Sequence, residues 1–120
     1  MGSVMGVAET IIQTSLLGEA VDSGPALVFV ADEEMRYIAV NQRACAVLGY
    51  TRDELLQLRV SDVVRTPGAP TEYDQMLVRG SRTGTATLTC KDGTTVEFDY
   101  QASTTRVARL ELFVSVGFVR

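Results

Sequence analysis

Two cysteines, Cys45 and Cys90, are the side chains of this sequence best suited to covalent chemistry. A cysteine reacts through its thiolate, and a neighbouring histidine is a common base for forming it. The sequence contains no histidine, which excludes Cys-His and Ser-His-Asp catalytic groups, histidine-ligated zinc and haem held by a proximal histidine. Haem held by cysteine or methionine stays open, although no motif favours it. Because both cysteines lie among apolar residues, we interpret them as free packing side chains in a reducing setting.

Carboxylates are the other groups that could do chemistry. The acidic run 32–34 and Asp62 could bind a cation, but a calcium loop needs alternating oxygen ligands and a glycine at a fixed place, so we predict a solvated turn. Glu97, Asp99 and Glu111 could share a sheet face, yet no deep polar cleft for acid–base catalysis is implied. With no nucleophile–base pair, phosphate loop or metal cluster, the sequence predicts a protein that is not an enzyme.

Length and composition predict one soluble globular domain. The chain has 120 residues, 46% of them hydrophobic, and a net charge of −4, which is typical of a domain with a core of its own. The arginines form no basic stripe, so we expect no direct binding of nucleic acid. No apolar run could cross a bilayer and no signal peptide opens the chain, so we expect a cytoplasmic protein without membrane insertion.

The first predicted element is a helix over residues 4–21. Its apolar side chains recur at helical spacing, and Leu16, Leu17 and Val21 widen the apolar stripe toward its end. A stripe that spreads to other faces predicts two packing partners, one in the same domain and one outside it. A Ser-Gly-Pro sequence at 23–25 ends the helix.

Two strands and two short helices follow. A nearly continuous apolar run at 26–31 predicts a strand covered on both faces, and the acidic turn leads to its hairpin partner, 36–40. Asn41 is a good N-cap for the helix that follows it, which we predict to end at residue 48. A capping box of Thr51 and Glu54 begins a second short helix.

The second half predicts one helix and three long strands. Thr71 opens a helix to about residue 79, with acidic residues in its first turn. Alternation then predicts strands over 85–90, 96–103 and 109–118, the first two joined by an Asp-Gly hairpin turn. The order of elements predicts an α+β fold, an antiparallel sheet with short helices on one face. The N-terminal amphipathic helix is expected to pack on the other face or at a dimer interface.

This order of helices and strands, and the residues that begin and end them, resemble those of a PAS domain. The segment FVADEEMRYIAVNQRACAVLGYTRDEL is similar to the family's hairpin, Asn-started helix, Gly-Tyr corner and next short helix. DGTTVEFDYQAS and FVSVGFVR resemble later strands of its five-stranded sheet. The departure is Gln57, where the family usually has glycine. The resemblance implies an N-terminal cap or dimerisation helix, residues 1–24, and a PAS core, residues 25–120.

The resemblance implies a sensor and dimerisation module of a signalling protein. In the family, a closing strand of this kind commonly leads to a linker and an output domain, so we expect a sensor piece whose C-terminal output domain is absent from this chain. We expect a homodimer that relays ligand or partner binding to that output domain. The predicted interface combines the N-terminal helix with the outer face of the last strand: Val4, Val7, Ile11, Ile12, Leu16, Leu112, Val114, Val116 and Phe118.

The cavity of such a fold lies between the sheet and the short helices. Alternation, together with the resemblance, predicts that its lining comprises Phe29, Ala31, Leu48, Tyr73, Met76, Leu77, Phe98, Tyr100, Phe113, Ser115 and Val119. These side chains either fill the core or line a small apolar pocket. In the second case we expect a colourless apolar molecule such as a fatty acid, with its head bonded by Tyr73 or Tyr100.

We expect that the cavity holds no cofactor, and in particular no coloured one. The light-sensing branch of the family carries Asn-Cys-Arg-Phe-Leu-Gln after the second short helix, where this chain has Leu-Arg-Val-Ser-Asp at 58–62. It also reads the flavin edge with amide side chains, and Phe98 and Val119 occupy the matching strand positions. Photoreactive flavin is therefore disfavoured, as is histidine-ligated haem.

Overall fold

The computed structural model describes residues 2–65 and 81–120, with the side chains from residue 9 onward. The predicted helix over 71–79 lies outside the described residues. The elements within them are α1 (Gly2–Asp22), β1 (Leu27–Ala31), β2 (Tyr37–Val40), α2 (Gln42–Leu48), α3 (Arg52–Leu55), α4 (Val60–Val63), β3 (Ser81–Thr89), β4 (Thr95–Val107) and β5 (Leu110–Val119).

The five strands form one antiparallel sheet in the order β2-β1-β5-β4-β3. The first strand of the chain, β1, therefore lies between its hairpin partner β2 and the last strand, β5. Helices α2, α3 and α4 pack on one face, where apolar side chains from sheet and helices form a single buried core. The predicted α+β fold with a five-stranded antiparallel sheet is confirmed.

Helix α2 begins and ends, and helix α3 begins, where local signals place them. Helix α2 ends at Gly49, whose φ of 79° suits glycine and whose N–H donates to the carbonyl of Cys45. The capping box is formed, since the N–H of Glu54 donates to Thr51 Oγ1 and the N–H of Thr51 donates to Glu54 Oε1. Gln57 keeps a negative φ, so its turn does not require the glycine that the family usually has there.

The side chain of Asn41 connects three elements. Its Nδ2 donates to the carbonyl oxygens of Val21 at 2.8 Å and Ala26 at 2.7 Å, and its Oδ1 accepts the N–H groups of Val28 at 3.0 Å and Ala44 at 3.2 Å. Both amide donors and both acceptor lone pairs are thus used. Asn41, which is 4% exposed, joins the end of α1 to the start of β1 and caps α2.

A second set of polar contacts ties the end of α1 to the core. The Asp22 carboxylate pairs with the Arg52 guanidinium and accepts a hydrogen bond from Gln42 Nε2 at 2.9 Å. Arg52 Nε also donates to the carbonyl of Val40 at 3.2 Å. The last turn of α1 is therefore fixed to both β2 and the α2–α3 region.

Helix α1 leaves its apolar side chains in water in the single chain. Ile11, Ile12, Leu16, Leu17 and Val21 are each 47–64% exposed. Among the described residues, no helix is both long and apolar enough to cross a membrane. The helix begins two residues earlier than predicted and ends one residue later.

The long hairpin of β4 and β5 differs most from the prediction. Its strands pair as far as Val107 and Leu110, four residues beyond the predicted end of β4. The two residues between them, Ala108 and Arg109, have φ values of 48° and 71°. Such a turn normally carries Asn or Gly, so the sequence gives no signal for it.

We expect Asn41→Ala to lower the free energy of unfolding by about 2–4 kcal/mol, because it removes the cap of α2 and leaves buried backbone groups without partners. Asn41→Ser keeps a capping oxygen but loses the two amide donors, so its loss should be intermediate. Arg43→Ala, at an exposed position of the same helix, should change the value by less than about 0.5 kcal/mol. Urea denaturation measures all three, and an Asn41→Ala protein as stable as the Arg43→Ala control would contradict this role.

Candidate functional site

A cavity of about 60 Å³ lies on the inner face of the sheet. Described residues that line it are Phe29, Ala31, Tyr37, Val60, Val64, Arg82, Ala86, Leu88, Phe98, Tyr100, Ala102, Phe113 and Ser115. The lining is mainly apolar, with a few polar groups, which is the usual character of a small-molecule site.

Strand register positions the lining. Phe29 pairs with Ser115, Ser115 with Ala102, and Ala102 with Arg82, so one row of inward side chains crosses four strands. The six residues that were predicted as lining and lie at the cavity are Phe29, Ala31, Phe98, Tyr100, Phe113 and Ser115.

The other predicted pocket residues are placed differently. Leu48 is fully buried in the core and is not among the residues that line this cavity. Val119 is half-buried, pairs with Phe98 across the strands, and packs against the core without lining the cavity. Tyr73, Met76 and Leu77 lie outside the described residues.

Aromatic rings occupy much of the inner face. Phe29 makes an edge-to-face contact with Phe98, with ring centroids 5.6 Å apart, and a tilted contact with Tyr37 at 5.5 Å. Phe98 stacks on Tyr100 at 5.8 Å. These rings fill the space between sheet and helices. The remaining volume is far below the roughly 300–1,000 Å³ of sites that hold drug-sized ligands.

Arg82 is a polar lining residue that the sequence analysis did not identify. Its Nε donates to Tyr100 Oη at 3.2 Å, and its side chain is half-buried. A signal was present in the alternation of β3: Ala86 faces inward, and counting back by two residues gives Gly84 and Arg82. A Cβ on Gly84 would lie 3.2 Å from Tyr100 Oη, so glycine leaves room for the phenol beside Arg82.

The outer face of the sheet is divided into an apolar and a polar half. We call the outward side chains of β1, and those of β5 from Leu112 onward, the apolar face: Val28, Val30, Leu112, Val114, Val116 and Phe118. Val116 and Phe118 are exposed, and the other four are half-buried. On β3 and over residues 97–105 of β4 the outward positions are polar, as at Gln101, which pairs with Val116, and Thr83 beyond it.

A groove of about 460 Å³ separates the last turns of α1 from the apolar face. Its walls include Leu17 and Val21 of α1 and Val28 and Val30 of β1. Of the predicted interface residues on α1, Ile11, Ile12 and Leu16 are exposed. The backbone of Val4 and Val7 belongs to α1, and their side chains lie outside the described part of the chain.

The carboxylates that could have been catalytic have ordinary structural partners. Arg120 donates from Nε and from a terminal nitrogen to the two carboxylate oxygens of Asp99, at 2.9 and 3.0 Å. Hydrogen bonds from Arg120 and then from Thr85 hold the pKa of Asp99 below its usual value. Asp32 accepts the N–H groups of Glu34 and Arg36, which forms the predicted acidic turn. No metal-binding cluster of His, Cys, Asp or Glu occurs among the described residues.

Both cysteines are free thiols in packed positions. Cys45 is half-buried on α2, and burial, as the largest cause, raises the pKa of its thiol. Cys90 is buried, and its Sγ donates to the carbonyl of Val47 at 3.5 Å. A raised pKa leaves little thiolate near neutral pH, which disfavours a covalently bound group at Cys45.

We expect Cys45 to be alkylated by iodoacetamide more slowly than free cysteine at pH 7. Because its pKa is raised, the thiolate fraction and the rate should keep increasing above the pH at which free cysteine levels off. Cys90 should react only in denaturant. Intact-mass time courses on wild type and Cys45→Ser measure both rates, and alkylation of Cys45 faster than free cysteine at pH 7 would contradict the assignment.

Comparisons with known proteins agree with this architecture. A family model described as "PAS domain" matches residues 25–120. A comparison with curated proteins finds no match. Among solved structures, the PAS domain of a two-component sensor histidine kinase superposes with a TM-score of 0.82 at 11% identity, over 92% of this chain and 99% of the other.

Two further structures show the same fold. The PAS domain of an HTR-like protein from Haloarcula marismortui gives a TM-score of 0.77 at 21% identity, over 97% of this chain and 98% of the other. A receptor described as an RNA-binding Light-Oxygen-Voltage receptor gives 0.78 at 16% identity, over 92% of this chain and 34% of the other. Since the family model spans the sheet, the inner cavity and the short helices, the chain belongs to the PAS domain family.

Proposed function

We propose that this chain is a PAS signalling module that works as a homodimer, with two copies joined through α1 and the apolar face. Similar structures come from a sensor histidine kinase and from the nitrogen regulation protein NR(II) of Vibrio parahaemolyticus, which supports a role in signal relay. The output domain of such a relay would follow the last strand.

The observation that carries this proposal is the amount of apolar surface left exposed on α1 and on β5. Leu17 of α1 is 64% exposed and Phe118 of β5 is 57% exposed. Burying a Leu, Ile or Phe side chain completely is worth about 1.5–3 kcal/mol. A helix of 21 residues is about 30 Å long, long enough to lie across the apolar face of a second copy.

The relay would use the strands that carry both surfaces. Phe29 of β1 and Phe113 of β5 line the cavity, while Val28 and Val116 on the same two strands form part of the apolar face. A ligand or partner that favours one strand geometry would therefore change the relative stability of dimer arrangements, which is a population shift. Asn41 links β1 to the end of α1, so a displacement of β1 would also move the end of α1.

We expect Ile11→Glu combined with Val116→Glu to give a monomer, because each change buries a charge in the proposed interface. Light scattering coupled to size-exclusion chromatography measures the mass. Thr83→Glu is the control, since Thr83 is exposed in the polar half of the outer face, on the edge strand β3. A wild-type monomer, or a double variant that stays dimeric, would rule out this interface.

A second candidate function is the binding of a small colourless molecule in the inner cavity, favoured by the few polar groups in an otherwise apolar lining. A Light-Oxygen-Voltage domain studied with a flavin analogue shares the fold, with a TM-score of 0.69. We infer that this chain binds neither photoreactive flavin nor histidine-ligated haem, because its sequence has no histidine and Phe98, which lines the cavity, occupies a strand position where the light-sensing branch has an amide side chain.

We expect the purified chain to show no visible absorbance band and, by native mass spectrometry, to carry at most a small adduct. The same sample measured under denaturing conditions is the control, since it gives the mass of the polypeptide alone. A band typical of flavin or haem, with the matching mass increase, would contradict this inference.

A further inference from the structure

We propose that the tip of the β4–β5 hairpin docks on the outward side of α1 in a second copy of the chain. The hairpin tip consists of Val107, Arg109 and Leu110. The matching surface, which we call the outer stripe of α1, consists of Glu9, Ile12, Leu16 and Glu19. This inference rests on the proposed homodimer and names a contact within it that the apolar face alone does not supply.

The hairpin projects beyond the rest of the described sheet. Strand β1 pairs with β5 only as far as Phe113, and the described part of β3 pairs with β4 only as far as Ser103. Strands β4 and β5 continue to pair with each other up to the tip. The N–H of Glu111 donates to Glu33 Oε1 at 3.1 Å, which ties the hairpin to the turn between β1 and β2. A fixed, projecting hairpin is well placed to contact a second molecule.

The hairpin tip combines apolar side chains with positive charge. Val107 and Leu110 are 52% and 60% exposed, pair with each other, and lie on the same side of the sheet as Leu112. Arg109 is exposed in the turn between them. Residues 100–110 include two arginines and no acidic residue. The tip therefore continues the apolar face to the end of the hairpin and ends it with a basic group.

The outer stripe of α1 has the opposite charge. Its four residues follow one another at intervals of three, four and three positions, which places them on one side of a helix. Thr14, Leu17 and Val21, which line the groove toward the sheet of the same chain, occupy the other side. All four residues of the stripe are exposed, and α1 contains no Lys or Arg. The stripe thus presents an apolar centre with a carboxylate at each end.

The two surfaces complement each other in both respects. Each copy has a net charge of −4, so two copies repel one another unless groups of opposite charge face each other. Arg109 pairs with a carboxylate at one end of the partner's outer stripe, while the two apolar side chains of the tip contact its apolar centre. A two-fold dimer makes this contact twice.

Sedimentation velocity over a dilution series measures the dissociation constant of the dimer. We expect Arg109→Asp to raise this constant roughly 10- to 50-fold, because repulsion replaces attraction at both contacts. Asp is one of the residues that best tolerate the positive φ of this position, so the turn is retained. Adding Glu9→Lys or Glu19→Lys should restore most of the loss, and the change that does so identifies the carboxylate that Arg109 contacts.

Arg43→Asp is the matched control. It changes the net charge by the same amount at an exposed position in the first turn of α2, where an acidic residue is favourable. Because α2 packs on the inner face of the sheet, we expect the dissociation constant to change by less than about threefold.

The outcomes separate this contact from the dimer on which it rests. A wild-type chain that stays monomeric overturns both. A wild-type dimer overturns the hairpin contact alone if Arg109→Asp leaves its dissociation constant unchanged, if Arg43→Asp weakens it equally, or if neither lysine restores it. If circular dichroism shows that Arg109→Asp loses strand structure, Leu110→Ala replaces it, and an unchanged dissociation constant in that variant also overturns the contact.

Discussion

Four hydrogen bonds converge on the side-chain amide of Asn41, and the arrangement of the first half of the molecule depends on them. The amide lies where α1 ends, β1 starts and α2 begins. Without it, the carbonyls of Val21 and Ala26 would be left without these donors near the core, which is unfavourable. Because the contacts run to backbone atoms, they fix the direction of three elements whatever side chains those elements carry. The Asp22–Arg52 pair adds a second, more exposed connection at the same place.

The position of β1 in the sheet relates the Asn41 hydrogen bonds to the proposed function. β1 lies next to β5, and the two strands present aromatic side chains to the cavity and valines to the outer face. The groove beside α1 opens onto Val28 and Val30, the valines of β1. In the proposed function, an internal ligand and a second copy of the chain would therefore both act on this pair of strands, and α1 would act on β1. This is why we treat ligand binding and dimerisation as linked properties of one module.

Local signals predicted most of the fold. The limits of α2 follow from Asn41 and Gly49, and the capping box of Thr51 follows from the residue three positions later. The turn before β4 follows from Gly93, which adopts the expected left-handed φ of 89°. Alternation along β4 and β5 identified which side chains face inward, because the period of a strand leaves only two choices.

Other features could not be predicted because they arise from tertiary contacts. The turn at Ala108 and Arg109 has the wrong residues for its geometry and is imposed by strand pairing on both sides. Alternation along β3 indicates that Arg82 faces inward. Its hydrogen bond to Tyr100, however, depends on the pairing register of β3 with β4, which alternation does not determine. The cavity volume depends on how the rings pack, which alternation does not determine.

The central claim is that α1 and the apolar face are buried together between two copies of the chain. Amide hydrogen exchange measured at a series of protein concentrations tests it most directly, because the free energy of opening is read segment by segment. The account predicts that protection of α1 and β5 rises together as the dimer forms, while protection at the start of β3 stays constant. Protection of α1 that does not change while the mass doubles would contradict it.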